Sequence, residues 1–315
     1  MSKKVKRFGK TPNNKQRFRC LKCLKTFIWQ RTYNKIHKEQ HWFKLWVTEG
    51  YSARQLTKIS GHSIAKIYRI IHYWLNQQPP ALSQNHYLKA EYVMFDGTYF
   101  HKDGCLAIVM DSGHRILLDY WYIDRENYHD VYLRLMQLRQ NGLSPKAITI
   151  DGHKQVTEAI QNVWPAILVQ RCLFHIENQG LMWIRTFPKT EAGKTLRLIL
   201  KNITGIRSDL DRENFLTTYR QWRNKYDLFI QQLPRNSIAN KDLKRTTALI
   251  NNALPNMFHF IKDQGIASTT NLLENFYSQL KHQYRNHRGL SRNHKIAFLR
   301  WFCYFKTSKI ATFCD

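Results

Sequence analysis

The sequence predicts an α/β fold interrupted by an all-helical insertion and preceded by a small basic region. Three observations predict it. Residues 91–124 hold three short apolar runs, EYVMFDGTYF, CLAIVMDSG and RILLDYWYID, separated by turn signals. Helical and strand patterns then alternate as far as AILVQRC, and residues 173–265 carry helical periodicity with little strand pattern. A chain this long suits about two domains, and with 43% hydrophobic and 13% aromatic residues it can fill a core.

Charge narrows the function. Lys and Arg total 50 against 22 Asp and Glu, a formal net charge of +28. Such an excess implies a polyanionic partner, because cations placed on phosphates release condensed counterions. An anionic membrane is the competing polyanion, but no apolar run reaches the roughly 18 residues of a spanning helix, and no signal peptide is expected. Nucleic acid is therefore the expected partner, and a membrane is not. Residues 1–90 hold 19 Lys/Arg and 2 Asp/Glu, against 31 and 20 in the remainder. The N-terminal third is thus the expected docking region, and the rest keeps enough carboxylates for chemistry. Six cysteines, at 20, 23, 105, 172, 303 and 314, lack the density of a disulfide framework and suit a reducing cytoplasm.

Residues 1–37 form a basic segment around Cys20-x-x-Cys23, the spacing at which one tight turn offers two thiolates to zinc. Two ligands do not close a tetrahedral site. His37 and His41 would complete a finger-like set, with 13 residues between Cys23 and His37; alternatively, the thiols stay unligated. The string KRFGKTPNNKQRFRCLKCLKTF also resembles the second half of the zinc ribbons that open many bacterial transposases. That resemblance implies a partial ribbon whose first cysteine pair is missing. Residues 38–76 predict a helix-turn-helix. A helix over about 38–48 carries Trp42, Leu45 and Trp46 on one face, Ser52 caps a second helix and Gly61 makes the turn. Ser63 caps a third helix with Ile64, Ile67, Ile71 and Trp74 inward. Lys66, Arg69 and His72 then lie outward, where a recognition helix meets the major groove; a plain bundle with a solvated basic face fits the same pattern. QQPPA opens a linker over 77–90, and a catalytic domain is expected over 91–315.

The three apolar runs read as an antiparallel meander turning at HKDG and SGH. A helix over about 128–141, a fourth strand at AITIDG, a helix over 155–162 and a fifth strand at AILVQRC follow. This is the order of an RNase H-like core, in which the first and fourth strands lie side by side. Asp96 and Asp151 sit on those strands, each behind apolar residues and ahead of a glycine that permits close approach. An Asp within a buried strand is costly unless its charge is compensated, and a divalent cation compensates both. Taken singly, each Asp-Gly also fits a hairpin turn. Two-metal phosphoryl transfer needs carboxylates that hold two cations roughly 4 Å apart, clamping the attacking and leaving oxygens. The third ligand belongs on a late helix, about Thr270 to Arg285, where Glu274 stands beside Leu273, Phe276, Tyr277 and Leu280. Its alternative is a capping residue, with Asn271 as N-cap. Lys281, two turns on, can touch the phosphate beside the scissile bond, and Arg285 and Arg288 continue the basic track. Trp164, Trp183, Trp222 and Trp301 read as core residues rather than base-stacking ones.

FDGTY, ITIDG, QRCLFHIENQ and STTNLLENFYSQLK together resemble the catalytic domain of Mutator-like transposases of bacterial insertion sequences, over about residues 90–300. Cys172-Leu-Phe-His175 is the most discriminating of the four. The resemblance implies the acidic triad Asp96, Asp151 and Glu274, an all-helical insertion at about 173–265, and Mg²⁺ or Mn²⁺ as cofactor. It further implies binding of double-stranded transposon ends, strand cleavage and strand transfer by a homo-oligomer in the bacterial cytoplasm. Zinc is a second expected metal, at Cys20 and Cys23. Cys172 and His175 are expected either to support the active site or contact the DNA end, or to be a buried thiol and a histidine bonded to the backbone. On the residues alone, an RNase H-like nuclease or resolvase that never joins, and a transposase-derived regulator without catalysis, stay open. The intact trio of carboxylates argues against the regulator.

Overall fold

The computed structural model describes residues 4–28, 32–100 and 104–311, with side chains excepted at 32–37 and 308–311. The chain divides into two units, Met1–Asn76 and Gln77–Asp315. The first opens with three antiparallel strands, β1 (Val5–Lys10), β2 (Gln16–Cys20) and β3 (Thr26–Ile28), in that order. The Lys- and Arg-rich run, read above as a basic partial zinc-ribbon-like segment, carries no apolar alternation to mark these strands. Cross-strand pairs hold them: Phe18 stacks on Phe27 at 6.2 Å, and the Arg19 guanidinium lies 5.0 Å from the Phe8 ring centroid.

Three helices follow, α1 (Thr32–Glu49), α2 (Ala53–Ser60) and α3 (Ile64–Leu75). Ser52 caps α2 in a reciprocal box with Gln55, Gly61 ends it in the left-handed region at φ 68°, and Ser63 accepts from the Lys66 N–H to start α3. Phe43 stacks between Trp46 and Trp74, and Leu56, Ile67, Ile70 and Ile71 close the core. Ile64 is a correction: expected inward, it is 40% exposed. It is the first residue of α3, and the buried stripe runs instead through 67, 70/71 and 74/75.

In the second unit β4 (Tyr92–Tyr99), β5 (Cys105–Asp111) and β6 (Ile116–Ile123) form the antiparallel meander. Of its two turns, 112–115 is described, with Asp111 accepting from the Gly113 and His114 N–H groups. The HKDG turn lies outside the described residues at 101–103. Next come α4 (Tyr128–Gln140), β7 (Ala147–Ile150), α5 (Lys154–Val163) and β8 (Leu168–Arg171). The sheet order is β6-β5-β4-β7-β8, with β7 parallel to both β4 and β8. Val93 and Phe95 join α4 and α5 in one core with Leu135 and Ile160. Met94 is equally buried on the alternate face. Strands covered on both faces read as continuous apolar runs rather than alternating ones, and every residue of β5 is buried.

Residues 77–90, read as a linker from their prolines, lie against this unit. Trp301 donates to the Gln77 carbonyl at 3.1 Å, and buried Tyr87 donates to the Leu118 carbonyl at 3.2 Å. Pro79 and Pro80 stop a helix without freeing the chain.

The helical stretch comprises α6 (Leu173–Ile184), α7 (Glu191–Leu200), α8 (Asp209–Gln232), α9 (Ile238–Ala253) and α10 (His259–Lys262), around Leu200, Phe215, Trp222, Leu243 and Ile250. Its two ends meet, because the Leu173 N–H donates to the Ser268 carbonyl at 2.9 Å. Then α11 (Asn271–Arg285) reaches β4, and α12 (Arg292–Ala311) reaches β6. Among the described residues no helix is long and apolar enough to cross a membrane.

Tyr277 docks α11. Its buried hydroxyl donates to the Asp96 carbonyl at 2.6 Å and has the Leu106 carbonyl at 3.3 Å, within the β4–β5 ladder. Tyr277→Phe should therefore lower stability by about 1–2 kcal/mol, read as a drop in urea midpoint at unchanged slope. An unchanged midpoint would remove this bond from the docking of α11.

Candidate active site

Asp96 lies inside β4, opposite Ile108 of β5. It is no turn residue, so the hairpin reading of its Asp-Gly pair fails. β4 and β7 pair as Tyr92↔Ala147, Val93↔Ile148 and Met94↔Thr149; continued two residues, that register sets Asp96 opposite Asp151. Neighbouring strands run about 4.8 Å apart. Asp151 is the first residue beyond β7, and its Oδ1 accepts from the His153 N–H at 2.9 Å. Gly152 turns the chain away at φ 92°. That positive φ favours glycine, and a Cβ would also displace the Arg171 guanidinium, whose central carbon lies 1.9 Å from where it would stand. That guanidinium donates to the Asp151 carbonyl at 3.0 Å, while its buried Nε has no partner.

Glu274 arrives on α11, one turn before Tyr277. The capping alternative is corrected: Thr270, not Asn271, is the N-cap, and no side chain caps the helix. The Glu274 Oε1 is buried without a hydrogen-bond partner. Thr270 is engaged elsewhere. Its N–H and hydroxyl donate to the Cys172 sulfur at 3.3 and 3.4 Å, and its Oγ1 lies 3.4 Å from His175 Nδ1. His175 Nδ1 in turn stands 3.8 Å from Glu274 Oε1. The Cys-x-x-His pair thus ties the start of α6 to the start of α11. Cys172 is a buried thiol, and the described partners of the histidine are side chains rather than backbone.

Charge is concentrated here. Asp96 is 8% exposed. Burial pushes its carboxyl up to about 7, against the opposing pull of His175 and with the further push of Asp151. Burial also raises Glu274, and His175 opposes it. For His175, burial works downward, but the Cys172 sulfur and then Asp96 and Asp151 outweigh it and push the ring up to about 9. A fourth acid, Glu126 in the β6–α4 loop, escaped the sequence reading. It too is pushed up to about 7, by burial, Asp151 and Asp96. Its only signal was the glycine after Asp96, since a glycine inside a strand often marks a close approach.

Among the described residues no three His, Cys, Asp or Glu side chains form a ready metal cage. The donor chemistry nevertheless suits a hard divalent cation. These are carboxylate oxygens, one of them orphaned and one on a nine-tenths-buried side chain. At the N-terminus, the backbone N–H groups of Cys23 and Lys22 approach the Cys20 sulfur and lower its pKa. His41 does not join Cys20 and Cys23 in a cluster, and the side chain of His37 lies outside the described residues. On α3, Arg69 and His72 are exposed, whereas Lys66 is half-buried, 3.3 Å from His62 Nε2. Lys281 Nζ sits 5.9 Å from the Phe100 ring centroid, and Arg285 is exposed. Trp164, Trp222 and Trp301 are core residues. Trp183 is half-exposed and lines a cavity of about 800 Å³ with Gly152, Lys154, Arg171 and Arg245.

A carboxyl raised in the folded state makes folding less favourable as pH rises, because the unfolded chain releases its proton first. For Asp96 this window runs from 3.8 to about 7. In chelator-treated protein, Asp96→Asn should therefore gain melting temperature relative to wild type between pH 4.5 and pH 7.5 (about the span of that window). A constant difference across the series would mean that this carboxyl titrates normally.

Two comparisons bear on these residues. No curated protein matches the chain. Residues 92–179 match the family model of the MULE transposase domain, a segment that contains Asp96, Glu126, Asp151, Cys172 and His175 and stops before Glu274. The match supports a transposase-type function, an enzyme class.

Proposed function

We propose that the chain is a DNA transposase that binds the terminal repeats of its element and cuts and joins strands at Asp96, Asp151 and Glu274. The convergence on Asp96 carries this reading. A carboxylate deep in the sheet has Asp151 in register beside it, while the Tyr277 bond brings in the helix that carries Glu274. The strand order β6-β5-β4-β7-β8, three strands antiparallel and two parallel, supports an RNase H-like core. The formal charge of +28 supports DNA as partner. In the first unit Arg69 and His72 on α3 offer donors to phosphate, and in the second Lys281 and Arg285 on α11 and the basic cavity beside Gly152 do so.

Bound to these acids, Mg²⁺ or Mn²⁺ would activate the attacking oxygen and stabilise the leaving one. The chain's own part is placement. The sheet fixes Asp96 and Asp151, α11 fixes Glu274, and His175 offsets part of the negative charge. Lys281, two turns beyond Glu274, holds the phosphate beside the scissile bond. Joining requires two DNA ends held together, so the working form is a homo-oligomer. A purely binding regulator has no use for an acid as deeply buried as Asp96.

Asp96→Asn, Asp151→Asn and Glu274→Gln should each abolish Mg²⁺-dependent cleavage of repeat-bearing DNA while end binding stays near wild type. Each keeps shape and removes a charge the metal needs. Cleavage within about tenfold of wild type would remove that residue from the site. Pre-cleaved ends test joining, and their failure to join would leave a nuclease. In the full chain, Arg69→Ala should weaken end binding and flatten its log–log salt slope by about one. An unchanged slope would take α3 off the phosphates.

A further inference from the structure

One residue past Asp151 the chain borders a cavity of about 800 Å³, enclosed by α5, the end of β8, α6 and α9. Arg171 lines it with a donor left unused. Its guanidinium packs over Gly152, gives one N–H to the Asp151 carbonyl at 3.0 Å, and keeps a buried Nε without a partner. Leaving a buried donor unpaired costs about 1–3 kcal/mol, more for a charged group, so an acceptor brought by a ligand is favoured there. Lys154, the first residue of α5, lines the same space, is exposed, and enters no ion pair of the described residues. Arg245 is a third cation, held by Asp242 at 2.6 Å, and Glu158 is the one acid of the lining among the described residues. The other wall is flat and apolar. Arg245 donates to the Trp183 carbonyl at 2.9 Å and lies 5.4 Å from its ring centroid, which fixes the indole beside Leu249.

Size selects the occupant. The cavity falls within the roughly 300–1,000 Å³ of clefts that enclose a small ligand, and a duplex does not enter such a space. Cations for the backbone beside an aromatic face for a base are the two features that hold unpaired nucleotides. We propose that this cavity takes an unpaired nucleotide of the DNA strand that passes Asp151, with its phosphate on Arg171 and Lys154 and its base against Trp183. This rests on the DNA-transposase reading above and deepens it. A duplex then has to open beside Asp151 before one of its phosphates reaches Arg171. Unpairing a base costs a few kcal/mol, and stacking it on an aromatic side chain returns about 1–3 kcal/mol. The cavity therefore favours ends that are frayed or already cut.

The test is binding of the full chain, without divalent metal, to a blunt repeat-bearing duplex and to the same duplex with a 3′ or a 5′ single-stranded tail of about five nucleotides. Wild type should bind one of the tailed duplexes about tenfold more tightly than the blunt one. Arg171→Gln should lose that gain, but it also loosens the Asp151 turn, so the two more exposed residues decide. Lys154→Ala and Trp183→Leu should each cut the gain to about twofold or less, with blunt-duplex affinity within about twofold of wild type. No gain in wild type with either tail, or a gain above about twofold in either variant, would overturn the assignment. A loss shared equally by blunt and tailed duplexes would put these residues on the duplex and overturn it as well. Each of these results leaves duplex binding intact. A wild type that binds no duplex at all would instead sink the DNA-transposase reading, and the role of the cavity with it.

Discussion

Asp96 occupies the central strand of five, covered on both faces, and its carboxylate has little access to water. Placing a charge there is unfavourable by several kcal/mol in real proteins unless hydrogen bonds or counter-charges offset it. The surroundings offset it only in part. His175 favours the ionised form, while Asp151 and Glu274 oppose it. The resulting tension orders the unit: a sheet stiff enough to hold the acid, helices that close over it, and further acids that make its neutralisation from within the chain harder still. On the function proposed above, a divalent cation shared between the acids would replace the missing solvation.

Assembly depends on contacts between residues far apart in sequence. Tyr277 reaches Asp96 and Leu106, and Thr270 reaches Cys172 and His175. Both partners of Thr270 stand in the first turn of α6, which begins where β8 ends. A single short segment, 268–277, is thereby fastened to the start of α6, to β4 and to β5. Rotating α11 by even a fraction of a turn would break the Tyr277 bond and swing Glu274 away together.

Much of this was legible. Turn residues and apolar runs mark the meander, and the βα alternation after it puts Asp96 on one strand and Asp151 at the end of its neighbour. What escaped did so for identifiable reasons. The N-terminal sheet is built from KRF and RFR strings, where cation–aromatic contacts across strands replace an apolar face, so no hydrophobic period announces it. Glu126 stands alone in a polar turn, DREN, where an acid ahead of a helix is ordinary; only Gly97 hinted at a visitor. Thr270 was passed over as N-cap in favour of Asn271, since the sequence does not reveal that its hydroxyl serves a cysteine 98 residues away. Ile64 looked inward because it opens an apolar stripe, but a helix's first residue lies outside the buried turn.

The meeting of Leu173 with Ser268 has its own consequence. The helical stretch leaves the sheet and returns to it at one point, like a loop of rope knotted at its base. Its length is then nearly decoupled from the geometry of the acids: doubling a closed loop adds only about 0.6 kcal/mol of entropic cost. The knot bears the mechanical constraint, and everything distal to it is free to grow, shrink or change shape over evolutionary time. An architecture of this kind lets one acidic centre be fitted with very different accessory bodies while its own geometry stays fixed.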